Sequence, residues 1–361
     1  MSDRAAKGSP TLEDVAREAG VSRATVSRVI NGIRNVDPSI QDVVRRAIAA
    51  TGYVPNRAAR SLVTRRAGSV ALVVSGAGED DGEHEGERAG AHEGPEAAFR
   101  GQVLADPFFG RITTGVVGFL RQRAMHPVLM LADSTDARKQ VVSYLRQGHA
   151  DGALLVSIHA RDPLPEMLVG AGLPCVLFAR PPQPVPISYV DLAHRDGGRL
   201  AADHLVARGC QHIASITGPL DVLASQDRLA GFRDALARHG HPYVPCVEGN
   251  FTLESGEHAM TRLLAQHPDV DGLFVANDLM AQGALHVLRE HGRKVPEDVA
   301  VVGFDDSSAA TSSRPPLTTV RQPIEEMAAE MTRLLLDRID QPDRRLTSVI
   351  FEPTLVTRQS A

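Results

Sequence analysis

From Ser69 onward the chain alternates short β-branched runs with amphipathic helical stretches, and this alternation restricts the fold more than any other feature. The runs are Val70–Val74, Val128–Leu131, Ala153–Ile158, Cys175–Phe178, Ile213–Ile216, Gly272–Val275 and Val299–Phe304, with helical periods over 194–208, 226–238, 255–266 and 278–290. Strands separated by helices pair in parallel, because a parallel neighbour is reached only through a crossover, and the helices then cover both sheet faces. About 290 residues is too many for one such sheet, so two similar α/β lobes with a cleft between them are expected. Open parallel sheets bind ligands beyond the carboxyl ends of their strands. The polar signatures of the body lie at those ends.

The first 68 residues have a different character. They hold twelve Lys/Arg against six Asp/Glu, a net of +6, so the remaining chain carries −11 of the overall −5. Eight acids (Glu79, Asp80, Asp81, Glu83, Glu85, Glu87, Glu93, Glu96) stand against Arg88 alone within 79–96. A basic head on an acidic body places a polyanion at the head and a different task in the body. The N-terminus lacks an apolar signal core, and no apolar run approaches the roughly 20 residues of a membrane span. Cys175, Cys210 and Cys246 are odd in number and scattered, which argues against both a disulfide framework and a zinc site; a reducing cytoplasm is expected.

Within the head, Thr11 and Asp14 form a capping-box pattern before Leu12, Val15, Ala16 and Ala19 at helical spacing. Gly20 stops this helix. Ser22 caps the next, Arg23–Ile30, with Val26, Val29 and Ile30 inward and Arg23, Ala24, Ser27 and Arg28 outward. Two short helices joined by a tight turn read as a helix-turn-helix. A third opens at Asp37-Pro38 and ends before Gly52. Tyr53–Leu62, arginine-rich and almost without core residues, would be a marginal helix on its own. The plain alternative, a structural bundle with a solvated basic face, would need cap, turn and basic face to coincide by accident.

The run Thr11–Asn31 resembles the DNA-binding headpiece of the lactose-repressor family, and Tyr53–Leu62 resembles that family's hinge helix. The resemblance implies that the second helix enters the major groove and that paired hinge helices wedge a leucine into the minor groove. Position by position, Arg23, Ala24 and Arg28 would read bases. Thr11, Ser22, Thr25, Ser27, Asn31 and Asn56 would hold phosphates, and Leu62 would be the wedge, an apolar side chain that unstacks a base step and bends the duplex.

Body motifs extend the resemblance. Gly218-Pro219 followed by Arg228–Phe232, Val275–Ala281, Val301–Asp306 and Pro315–Val320 resemble the family's effector-gripping segments and its crossover between lobes. Arg228, Asn277 and Asp305 supply a donor fork, an amide and an acceptor, a set suited to a polyhydroxylated ligand. Phe108 and Phe251 could cover an apolar ring face, and Asp191 is a further cleft candidate. Ser157, His159 and Arg161 are weaker ones. Each has a plain alternative: Asn277-Asp278 can cap a helix, and either phenylalanine can be core. Gly76-Ala77-Gly78 after the first run is no dinucleotide loop, because the third glycine falls late at Gly82 and three acids would repel a pyrophosphate. The acidic, His-containing insertion of about 76–101 reads as a solvated loop near the cleft mouth.

The expected fold class is α/β: a helix-turn-helix headpiece plus a two-lobed, periplasmic-binding-protein-like body of two parallel sheets. The expected domains are a DNA-binding unit over 1–62, with a hinge helix at about 55–62, and an effector-binding and dimerisation unit over 63–361. In the latter the N-lobe would take about 69–191 and 322–345, and the C-lobe about 192–318 and 346–357. No leucine-heptad tail follows the last strand, so a homodimer on a palindromic operator is expected. The function expected is a cytoplasmic, sequence-specific transcriptional regulator, a repressor in the simplest scheme. A small-molecule effector, a sugar or sugar derivative, would control it; purine-like ligands and a corepressor sense are also allowed. No catalytic residue, metal or cofactor is expected. The competing reading is a cytosolic sugar-binding protein or an enzyme acting on a carbohydrate in the same cleft.

Overall fold

The structure, a computed structural model, describes residues 10–30, 36–53, 66–76, 99, 101, 103–157, 159 and 161–361. It divides into two compact units, Met1–Gly68 and Ser69–Ala361. No helix among the described residues is long and apolar enough to cross a membrane.

The first unit contains α1 (Leu12–Ala19), α2 (Arg23–Ile30) and α3 (Pro38–Thr51). Thr11 and Asp14 close a reciprocal capping box at α1: Asp14 N donates to Thr11 Oγ1 at 3.3 Å, and Thr11 N donates to Asp14 Oδ2 at 2.9 Å. Gly20 ends α1 at φ 64°, a left-handed backbone that glycine adopts without a Cβ penalty. The turn then presents Ser22 Oγ to Thr25 N at 3.1 Å, capping α2. Val15, Ala16, Val26, Val44 and Ala47 form a five-residue buried core. Leu12, Ala19, Val21, Val29, Ile30, Ile40, Ile48 and Tyr53 pack around it, and caps satisfy the helix starts.

The second unit contains two six-stranded sheets. The first has the order β11-β5-β4-β3-β1-β2, from β1 (Ser69–Ser75), β2 (His126–Ala132), β3 (Ala153–Ser157), β4 (Cys175–Phe178), β5 (Ser188–Leu192) and β11 (Ser348–Phe351). The second has the order β12-β10-β9-β8-β6-β7, from β6 (Ile213–Thr217), β7 (Cys246–Glu248), β8 (Gly272–Val275), β9 (Ala300–Asp305), β10 (Thr318–Arg321) and β12 (Thr354–Val356). All pairings are parallel except β10 with β12. Helices α4 (Pro107–Arg121), α5 (Thr135–Arg146), α6 (Leu164–Gly170) and α12 (Ile324–Asp340) accompany the first sheet. Helices α7 (His194–Ala207), α8 (Leu223–Arg238), α9 (Leu253–Gln266), α10 (Asp278–Glu290) and the short α11 (Ser308–Ser312) accompany the second.

The chain passes between the sheets three times: after β5, after β10 and after β11. The third passage corrects the expected C-lobe segment of 346–357. Ser348–Phe351 pairs in parallel with Tyr189–Leu192 of the first sheet, and only Thr354–Val356 joins the second. Both segments are short and edge-like, so hydrophobic pattern alone could not say which sheet recruits them. The short strands β5, β7, β10 and β11 lie outside the apolar runs read from the sequence.

Helices α7 and α8 approach each other to backbone contact. A Cβ on Gly198 would lie 2.1 Å from the Arg228 carbonyl oxygen, and one on Gly231 would lie 1.9 Å from that of Arg195. Both distances are far inside van der Waals contact, so only glycine allows this crossing. Gly231→Ala should therefore lower stability by about 1–3 kcal/mol through a forced backbone shift, read as a lower urea midpoint at unchanged m-value. An unaltered midpoint would show that the two helices separate freely.

Candidate functional site

In the headpiece, α2 turns Arg23, Ala24 and Arg28 to solvent and Val26 into the core, with Thr25 and Ser27 partly covered. This outward set follows from the 3.6-residue period once Val26 is buried. Thr11 and Ser22, at the starts of α1 and α2, are exposed as well. Arg23 is ion-paired with Glu13 at 3.0 Å, both side chains being largely exposed, so a nucleic acid would compete with an acid of α1 for that guanidinium. Ser22 Oγ and Thr25 Oγ1 lie 2.9 Å apart. Asn31, Asn56, Leu62 and the expected hinge helix lie outside the described residues. So does the acidic insertion apart from Gly76, Phe99 and Gly101.

In the body, the carboxyl ends of the strands converge on a buried polar cluster. Its centre is Arg228 on α8, 6% exposed. The guanidinium lies over the Phe304 ring at 3.8 Å. Nη1 donates to the Ala276 carbonyl at 2.5 Å, Nε donates to His194 Nδ1 at 3.3 Å, and Nη2 is 3.9 Å from Asp305 Oδ1. Acceptance at Nδ1 places the ring proton of neutral His194 on Nε2, which faces Asp191 Oδ1 at 3.5 Å. Burial, reinforced by nearby Arg228, lowers the His194 pKa and keeps the ring neutral.

Asp305 closes β9 with φ 108° and Asp306 follows at φ 54°, two non-glycine residues in left-handed backbone. Such strain persists where surrounding contacts over-determine it. Here Gln322 Nε2 donates to Asp305 Oδ1 at 2.5 Å, Arg111 Nη1 of α4 donates to the Asp305 carbonyl at 2.7 Å, and Arg321 and Arg358 both hold the Asp306 carboxylate. Burial pushes the Asp305 carboxyl up, against the pull of Arg228. Asp278, fully buried, is pushed up by burial and by Asp305, while Thr319 Oγ1 and Ser307 N donate to it at 2.6 and 2.7 Å.

The expected cleft residues fall into two groups. Arg228, Asp305 and Asp191 come together, and Asn277 borders them. Asn277 is first of all a helix cap: Oδ1 accepts from Met280 N at 2.9 Å and Nδ2 donates to the Phe251 carbonyl at 3.0 Å. Phe251, at φ 68°, lays its ring against Gly218, where a Cβ would meet it at 2.3 Å. Phe108 is half-buried and packs edge-on to Phe109 and Phe178, with centroids 5.3 and 5.6 Å away. Three further groups join the cluster that sequence reasoning did not select: His194, Gln322 and Asp106. Asp106 caps α4 through Phe108 N at 2.9 Å, and burial pushes its carboxyl up to about 6, with the Asp305 charge adding to the rise. Its signal in the sequence, an Asp directly before Pro107, reads only as a cap.

Beside this cluster a cavity of about 230 Å³ opens between the lobes, walled by Ser157, Phe178, Arg180 and Pro182 of the first lobe and by Val222 and Ala224 of the second. Across it, Arg180 Nη2 meets Asp227 Oδ2 at 2.6 Å and His159 Nδ1 faces Asp221 Oδ2 at 3.6 Å. Among the described residues no group of His, Cys, Asp and Glu could hold a metal ion. A buried fork, several carboxylates and amides at strand ends, and a partly apolar cavity suit a neutral, hydroxyl-rich ligand.

Comparison with known proteins assigns both units. Residues 11–56 match the model of bacterial regulatory proteins, lacI family, and residues 202–361 match a periplasmic binding protein-like domain. The HTH-type transcriptional regulator CelR of Thermobifida fusca is 45% identical over 356 residues, 97% of this chain and 98% of that protein. The chain belongs to the lacI family. The ribose operon repressor of Escherichia coli strain K12 is 31% identical over 97% of this chain and 99% of that protein. A solved CelR–cellobiose complex superposes with TM-score 0.72 at 43% identity, covering 98% of this chain and 100% of that one. A lac repressor dimer bound to operator and the anti-inducer ONPF gives TM-score 0.78 at 27% identity, covering 98% and 99%. This lacI-family chain is a DNA-binding transcriptional regulator with a ligand-binding body, and it is not an enzyme.

The raised Asp106 pKa has a signed consequence. The folded state holds this proton up to about pH 6, whereas an ordinary aspartate releases it near 4, so stability from this group is present below about pH 4 and lost as pH rises through 6. Asp106→Asn keeps the cap and removes the titration. Its unfolding free energy minus that of the parent should rise between pH 4 and pH 7 in urea titrations. A difference flat across that range would place Asp106 in water.

Proposed function

We propose that this protein acts in the cytoplasm as a homodimeric repressor on a two-fold operator, with cellobiose or a similar disaccharide as its effector. The observation that carries the reading is the buried Arg228–Asp305 pair at the strand ends of the second sheet, in a chain 43% identical to the protein of the CelR–cellobiose complex. A donor fork and a carboxylate held together, with Gln322 and Asn277 beside them, supply the alternating donors and acceptors that sugar hydroxyls require.

In the headpiece the exposed Arg23, Ala24 and Arg28 read base edges, while Thr11, Ser22, Thr25 and Ser27, with Asn31 and Asn56, hold phosphates. Leu62 is the minor-groove wedge. In the body Arg228, Asn277, Asp305 and Asp191 bind the sugar, with Phe108 and Phe251 against its ring faces. A ligand that favours one arrangement of the lobes changes operator affinity by the ratio of its affinities for the two arrangements, and DNA alters sugar affinity by the same factor. The homodimer follows from the geometry of a two-fold operator, which two identical heads must span; the lac repressor relative is a dimer on its operator.

The reading is tested by fluorescence-anisotropy titration of an operator, selected from random duplexes, with and without cellobiose. Operator affinity should shift at least tenfold with sugar. Affinity indifferent to cellobiose and to other disaccharides would overturn the effector assignment. Arg28→Ala should cost about 1–3 kcal/mol on the selected operator and relax preference at one base pair. Equal weakening on all sequences would make Arg28 a phosphate contact instead. Arg228→Ala should remove the sugar response while operator affinity in its absence stays within a few-fold. A retained response would take Arg228 out of the sugar site.

A further inference from the structure

The cavity between the lobes and the buried polar cluster are neighbours, yet none of Arg228, Asn277 and Asp305 lines the cavity. Their relation is set by α8. Ala224 on the cavity wall and Arg228 in the cluster are four residues apart, so they share one helix face, one turn from each other. A sugar ring held by Arg228 and Asp305 therefore leaves the cavity where a ring linked to it would lie. The walls there mix Phe178, Pro182 and Val222, which suit the C–H faces of a pyranose, with the guanidinium of Arg180 and the polar or charged groups of His159, Arg161, Asp162 and Glu166.

Arg180 is placed by its surroundings. The preceding residue, Ala179, has φ 84°, a left-handed backbone that a residue with a Cβ rarely adopts, and its N–H donates to the Val190 carbonyl at 2.7 Å. This turns the chain at the end of β4 and delivers Arg180 to the cleft. Asp227 of the second lobe, the residue beside Arg228, takes Arg180 Nη2 at 2.6 Å, and Asp191 Oδ2 lies 4.0 Å from Nε. The Arg180 side chain is nonetheless 46% exposed, against 24% for that of Asp227. A fork with five N–H donors anchored at one end by a carboxylate still presents donors to the cavity.

We infer that Arg180 is a specificity-determining residue: it donates to hydroxyls of the second ring of a disaccharide effector, while Arg228 and Asp305 hold the first. Asp227 orients it from the opposite lobe, so recognition of the second ring and apposition of the lobes use the same side chain. This inference rests on the disaccharide reading above.

The test is calorimetric titration of the full-length protein with glucose and with cellobiose, for the parent, Arg180→Gln and Asp227→Asn. The parent should bind cellobiose more tightly than glucose. Arg180→Gln should weaken cellobiose at least tenfold and leave glucose within twofold, and Asp227→Asn should weaken cellobiose less than Arg180→Gln does. Far-ultraviolet circular dichroism and a cooperative thermal melt establish that Arg180→Gln is folded. If Arg180→Gln and Asp227→Asn shift both sugars alike, the pair is only an ion bridge between lobes and the inference fails. A parent that prefers cellobiose, with the preference intact in Arg180→Gln, overturns this inference alone. A parent that binds glucose as tightly as cellobiose overturns the disaccharide reading with it.

Discussion

The backbone contact of α7 with α8 at Gly198 and Gly231 sets the position of nearly everything polar in the body. With no side chain between them, the two helices bring the Arg228 carbonyl against α7 and carry the Arg228 side chain down onto Phe304 and the end of β9. The same approach sets His194, in the first turn of α7, within reach of Arg228 Nε. A methyl group at either glycine would force the two helices apart, and with them the guanidinium that faces Asp305 at 3.9 Å and donates to the Ala276 carbonyl. The glycine in Arg228–Phe232 is thus a packing requirement that serves the arginine three residues earlier.

Burying Arg228 beside Asp305, with Asp278 and Asp106 nearby, is an expensive arrangement for folding alone, since each ion loses its water. The cluster offsets this through fixed partners: the Ala276 carbonyl, Gln322, Ser307 and Thr319 each supply one hydrogen bond. Two of the three chain passages between the lobes run through it, Asp191 and His194 on one and Gln322 on another. Whatever changes the cluster acts directly on the segments about which the lobes would move.

The headpiece works under the opposite constraint. Among its described residues five are buried and eight more hydrophobics pack around them, and the Thr11–Asp14 box, the Ser22 cap and the left-handed turn at Gly20 add to this small core. Economy in the core leaves α2 with an outward face that packing does not use. Arg28 and Ala24 are exposed for that reason, and Arg23 is tethered by an exposed ion pair, a weak interaction in water.

What the amino-acid sequence determined by itself is whatever depends on neighbours along the chain. The helix-turn-helix of 11–30, the caps at Thr11, Ser22 and Asp37, the long strands from Val70 to Phe304 and the parallel class of both sheets follow from local period and from the crossover rule. Arg228, Asp305 and Asp191 are marked as candidates by the family-like motifs and strand ends of the sequence, and the structure brings the three together. The tertiary structure decided what depends on residues far apart. Ser348–Phe351 joins the first sheet because Ser188–Leu192 offers it an open parallel edge, a fact absent from its own four residues. Asn277 spends its amide on capping α10 and on Phe251, a choice set by a loop 26 residues away. Asp106, His194 and Gln322 join the buried polar cluster, and Arg180 the cavity wall, only through proximity between distant segments, which no periodicity encodes.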